Sequence, residues 1–108
     1  MTRDALMPAF GGESMAHMRH LIFADIAEKE GFRNVARLFR AVAYAERIHA
    51  GNHFRRLKDL KTDAKVVAGG GFGSGDTLKN LELAITGERF EVKEMYPAYI
   101  EISKAQGD

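Results

Sequence analysis

Ala45-Glu46-Arg47-Ile48-His49-Ala50 places a carboxylate and an imidazole three positions apart inside an apolar run. Residues three and four apart are neighbours on a helix face, so on a helix these two side chains can hold one metal ion together. The surrounding segment has helical period: Val35, Leu38, Phe39, Val42, Glu46, His49 and His53 fall along one face. This spacing predicts a helix over about Asn34 to Leu60 whose inward stripe is apolar except where it carries metal-capable groups. A Glu-x-x-His pair projecting inward is a recurrent ligand device of four-helix bundles. An all-α bundle is therefore the fold to follow through the rest of the chain.

Toward the N-terminus, the residues from Asp4 to Glu30 favour helix, with Ala, Met, Leu, Glu and Lys dominating and no proline after Pro8. From Glu13, steps of three and four reach Ala16 or His17, His20, Phe23 or Ala24, and Ala27, a mostly apolar stripe headed by a carboxylate. Gly31 is placed to cap this first helix, and Gly31-Phe32-Arg33-Asn34 is short enough to force an antiparallel hairpin. Glu13 lies 18 residues before Gly31 and His49 lies 18 after it. At a rise of about 1.5 Å per residue the two stand at similar heights in such a hairpin, with Glu46 about one turn away.

Toward the C-terminus the periodicity breaks between residues 62 and 75 and ends in Gly69-Gly70-Gly71-Phe72-Gly73-Ser74-Gly75. This reads as a flexible crossover carrying the chain from one end of the hairpin to the other. Ser74 or Asp76 can cap a third helix over about Thr77 to Lys104, with Leu81, Ala84, Glu88, Glu91, Met95, Ala98 or Tyr99, and Ile102 on one stripe. Gly87 permits close approach by a neighbour, and Pro97 predicts a kink near Lys93.

Composition narrows the function classes. At 108 residues the chain is one domain at most, short for a self-sufficient four-helix bundle with long helices. Sixteen Lys and Arg against 15 Asp and Glu leave a net charge of +1, which lends no support to nucleic-acid or acidic-membrane binding. The sequence contains no Cys, so a disulfide framework, a CxxC redox motif and thiolate-held metal centres are excluded within it. Any metal must sit on oxygen and nitrogen; carboxylates with one or two imidazoles suit Fe(II), Mn(II) or Zn(II). There is no apolar leader region and no run of about 18 apolar residues, so cytoplasm is the default compartment. Arg55, Arg56, Lys58 and Lys61 read as a solvated helix end that complements the dipole. Met15, Met18 and Met95 read as core fillers.

Four segments together resemble the rubrerythrins: Phe10-Gly11-Gly12-Glu13-Ser14, Glu28-Lys29-Glu30-Gly31-Phe32, the Glu46-x-x-His49 pair, and Gly87-Glu88-Arg89-Phe90-Glu91-Val92-Lys93-Glu94-Met95-Tyr96-Pro97. The likeness covers essentially the whole chain, residues 1–108. It implies a ferritin-like four-helix bundle with three long helices supplied here, and a non-haem site of two Fe ions, with Mn or Zn as substitutes. The implied activity is an oxidoreductase of the NADH-peroxidase type that reduces hydrogen peroxide to water in oxidative-stress defence, with electrons from a separate donor such as a rubredoxin-type protein. The alternative is a ferritin-like iron-binding or storage protein, or an inactive truncated bundle.

Position by position, the resemblance implies Glu13 as a terminal ligand, Glu46 as a bridging carboxylate and Glu88 as a ligand on the other metal. His49 and Glu91 match the two groups between which one iron moves when its oxidation state changes, which makes Glu46, His49 and Glu91 the catalytic set. Glu94 matches a glutamate that is not a ligand. Three departures stand out. The family's fourth helix, with another glutamate and another Glu-x-x-His, is not among these residues; a cysteine-bearing rubredoxin domain is not present in the sequence; and His20 stands where the family usually has a tyrosine. An apolar groove lined by unpaired carboxylates must be filled, since buried unpaired charges cost several kcal/mol each. The expectation is completion either by a further segment of a longer protein or by a homodimeric, domain-swapped partner. His17, His20 and His53 read as structural, with His20 able to bond a ligating carboxylate, and Tyr96 as a hydrogen-bonding neighbour of the site.

Overall fold

The computed structural model describes residues 3–61 and 63–90, the last three by their backbone alone. The described residues form three helices and no strand: α1 (Arg3–Lys29), α2 (Arg33–Arg56) and α3 (Thr77–Phe90). The all-α expectation is met, and the helix starts agree with the sequence reading to within one residue. The expected reach of the third helix to Lys104, and the kink ahead of Pro97, lie outside the described residues.

The hairpin between α1 and α2 is made by Gly31, whose φ of +86° is in the left-handed region that glycine enters without a Cβ penalty. Phe32 N–H donates to the Ala27 carbonyl at 2.8 Å and Gly31 N–H to the Glu28 carbonyl at 3.1 Å, the paired bonds of a Schellman cap. α2 ends at Arg56, a turn earlier than Leu60. Leu57 N–H closes it on the Phe54 carbonyl, and a further turn joins Leu60 N–H to the Leu57 carbonyl. Arg55, Arg56, Lys58 and Lys61 are exposed around this end, as a solvated basic terminus should be.

The two long helices meet through small residues. Ala16, Ala24 and Ala27 from α1 and Ala36, Ala43 and Ala50 from α2 are buried, with Phe23 and Phe39 filling the space between. Small side chains let the helix backbones approach closely, and the two rings, 5.4 Å apart in an edge-on arrangement, contribute most of the apolar volume there. This face of α2 is rotated from the stripe read in the sequence. Ala36, Phe39, Ala43, Glu46 and Ala50 point at α1, whereas Leu38 is 54% exposed and Val42 only half-buried. Met18, expected in the core, is also exposed.

From the end of α2 the chain returns along the outside of α1 to the hairpin end. A Cβ on Gly11 would lie 2.5 Å from a methyl of Val66, so α1 has a glycine where the crossover presses against it. Further along, the Arg19 guanidinium donates to the Gly71 carbonyl and lies 3.3 Å from where Gly87 would carry a Cβ. The expectation at Gly87 is close approach by a neighbouring helix; what lies near it among the described residues is the Arg19 side chain rather than a helix backbone. Asp76 caps α3 through a 2.9 Å bond from Lys79 N–H, as one of the two candidates should. Asn80, fully buried, accepts from Gly75 N–H at 2.8 Å and donates to its carbonyl. Glu30, at the end of α1, accepts from both the N–H and the hydroxyl of Thr77. α3 therefore starts beside the hairpin turn and runs antiparallel to α1, with Leu81, Leu83 and Ala84 packed on the Phe23–Phe39 core.

Candidate metal centre

The hairpin levels its polar residues as the residue count from Gly31 predicts. Glu13 on α1 and His49 on α2 face one another, with His49 Nδ1 3.5 Å from a Glu13 carboxylate oxygen. Glu13 is 7% exposed, while the His49 side chain is 53% exposed. The carboxylate is therefore held inside the bundle and the imidazole approaches it from the solvent side.

One turn away, Glu46 is 5% exposed among the alanines of α2. Its carboxylate accepts a 2.7 Å bond from His20 Nδ1 on α1. A carboxylate oxygen can only accept, so this nitrogen carries the proton and Nε2 carries the lone pair in the neutral ring. Among the described residues Nε2 has no partner. The His20 ring joins a three-ring cluster, edge-on to Phe23 at 5.6 Å and stacked with Phe39 at 6.0 Å. His17, a turn earlier, donates from Nδ1 to the Ala43 carbonyl at 2.6 Å and so ties α1 to the backbone of α2.

Burying a carboxylate is unfavourable unless it is paired or coordinates a metal. Two buried glutamates on facing helices, with imidazoles from the opposite helix at both, form an oxygen and nitrogen donor set that fits a divalent transition metal. Glu13, Glu46 and His49 come from the expected set. The Glu88 side chain and all of Glu91 lie outside the described residues, as do Tyr96 and Met95. Among the described residues no three such groups converge closely enough to enclose an ion. His53 lies partly buried beyond His49, and its imidazole is pushed below the usual 6.5 by burial first and then by the neighbouring His49 and Arg56. That favours a neutral ring.

Sequence reading missed two features here. The aromatic cluster around His20 requires knowing that Phe23 and Phe39 meet across the hairpin, for which their i and i+3 places relative to His20 and to the α2 stripe were the available signal. The His17 bond to a backbone carbonyl leaves no trace in residue types.

The rubrerythrin family model matches residues 4–108. The chain is 53% identical over 106 residues to Rubrerythrin-2 of Clostridium acetobutylicum, covering 98% of this chain and 58% of that protein. It is 37% identical over 108 residues to rubrerythrin of Porphyromonas gingivalis, covering 98% and 52% respectively. With nigerythrin of Nitratidesulfovibrio vulgaris the identity is 34% over 109 residues, covering 99% and 53%. The chain thus spans little more than half the length of the relatives it matches. No helix among the described residues is long and apolar enough to cross a membrane. With the family model running from the first turn of α1 to the last residue, across both helices that carry the buried glutamates, the chain belongs to the rubrerythrin family.

Proposed function

We propose that this chain forms the greater part of a di-iron site that reduces hydrogen peroxide to water. The observation that carries the reading is the pair of buried glutamates, Glu13 and Glu46, on facing helices with imidazoles beside them. Glu13, Glu46 and His49, with Glu88 and Glu91 from the third helix, would hold the metal ions. Two iron ions there would supply one electron each, so that hydrogen peroxide, two electrons and two protons give two waters. Manganese or zinc would fill the same donors, without zinc offering redox chemistry.

The chain's own residues do the rest. Glu13 and Glu46 present two buried carboxyl groups inside the hairpin, where electrostatic attraction between a carboxylate and a cation is stronger than in open solvent. With its side chain half exposed beside Glu13, His49 would have room to exchange with Glu91 as the charge of the site changes. Ferritin-like sites use about six carboxylate and imidazole ligands with two Glu-x-x-His pairs, and this sequence contains one such pair. A second pair would come from a further polypeptide segment or a second copy, in a homodimer or swapped arrangement. The electrons come from a separate protein of the rubredoxin type.

Anaerobic loading with Fe(II) tests this reading. The expected result is two ions per completed bundle and stoichiometric peroxide consumption without iron release. Growth of a ferric mineral would instead indicate storage. A Glu46→Ala variant that consumes peroxide as fast as the parent would overturn the assignment.

A further inference from the structure

We infer that His20 is a positioning residue for the metal site, acting through its Nδ1–H on the Glu46 carboxylate. The inference rests on the metal-site reading above and extends it to a side chain outside the proposed ligand set. Three observations carry it. His20 is 2% exposed and donates to Glu46 at 2.7 Å. Its ring packs against both Phe23, edge-on at 5.6 Å, and Phe39, stacked at 6.0 Å, in a three-ring cluster that restricts its rotation. And Glu46 stands on the α2 face that packs against α1, 5% exposed, with its carboxylate turned to the His20 donor.

The contrast with His49 sharpens the assignment. Both imidazoles lie beside buried glutamates, but one is solvent-facing at 3.5 Å and the other is buried at hydrogen-bond distance. A buried donor commits one oxygen of Glu46 and thereby restricts the direction in which the carboxylate can offer its remaining lone pairs. A carboxylate held this way does not have to be reoriented when a cation arrives, which lowers the entropy lost on binding. Hydrogen bonds from outside the coordination sphere orient ligands in this manner. The buried ring gains a role that its bulk does not explain, since a leucine would fill similar space without a polar atom to satisfy.

The test compares substitutions that move one donor at a time. Asn places its amide nitrogen near the position of Nδ1, Gln places it near Nε2, and Leu removes both. Co(II) alone is titrated anaerobically into the intact parent protein and each variant, following the visible d–d absorption, with helix content checked by circular dichroism. The expected result is Co(II) affinity weakened about 10–100-fold in His20→Leu and His20→Gln with an altered d–d spectrum, and parent-like affinity and spectrum in His20→Asn. Should His20→Leu not fold, the Asn and Gln variants decide alone, because they share polarity and differ in where the donor sits. Equal Co(II) affinity in His20→Asn and His20→Gln overturns the inference while leaving the metal site standing. A parent that takes up no Co(II) overturns the metal-site reading and this inference with it.

Discussion

His53 shows how much a single side chain reports about its surroundings. Burial pushes its pKa down from 6.5, and His49 and Arg56 push it the same way. The unfolded chain then binds this proton more readily than the folded one, so folding stability is retained above about pH 6.5 and falls as the pH drops from there toward the folded-state value. In the metal-free protein, NMR titration of the imidazole is expected to give a midpoint below 6.5, and His53→Gln is expected to flatten the stability profile across that range. An unshifted midpoint would refute this account. At this scale the sequence was informative where chemistry depends on residue type and spacing. Glu13, Glu46 and His49 could be named because helical spacing and the distance from Gly31 determine their heights. Their burial could not be ranked, because Glu46 and His49 lie about 60° apart around the helix, and which of them turns inward depends on which neighbours touch.

The helices themselves were legible to within a turn, since caps and breakers are local. Gly31 and Asp76 each act through bonds to residues three or four positions away. The packed face of α2 was less legible. Large apolar residues dominated the sequence stripe, yet alanines form the contact with α1, because close helix approach selects for small side chains whose hydrophobicity is modest. Ala43 is fully buried and its carbonyl accepts from His17. Ala43→Leu is therefore expected to lower unfolding free energy by about 1–3 kcal/mol through overpacking, measurable by urea denaturation. Leu38→Ala, on the exposed flank of the same helix, should change it far less. If the two substitutions cost the same, the packed face has been wrongly placed.

Across the whole molecule, the glycine-rich crossover carries a structural burden beyond that of a flexible tether. It passes Gly11 in close contact and is held at Gly71 by Arg19, whose guanidinium also lies 6.0 Å over the Phe23 ring. Neither fastening is visible in the order of residues, because Arg19 and Gly71 are separated by the full length of the hairpin and its return. Arg19→Ala is expected to accelerate amide hydrogen exchange in residues 81–87 of α3 while leaving the α1–α2 contact around Ala24 and Ala43 protected. Equal loss of protection everywhere would show that Arg19 supports the hairpin instead.

The clasp between Glu30 and Thr77 also orders events in time. α1 and α2 are adjacent in sequence, and their contacts close a loop of only a few residues at Gly31, whereas α3 can dock only after the crossover has returned to the Glu30 end of the hairpin. Short-range contacts form sooner than long-range ones, so pulse-labelled exchange during refolding is expected to protect Ala24 and Ala43 before Leu81 and Ala84. On a ribosome the hairpin emerges first as well. Glu13, Glu46 and His20 would then be assembled as an open half-site before the third helix arrives, giving a newly made chain an interval in which an ion can enter without prying the bundle apart.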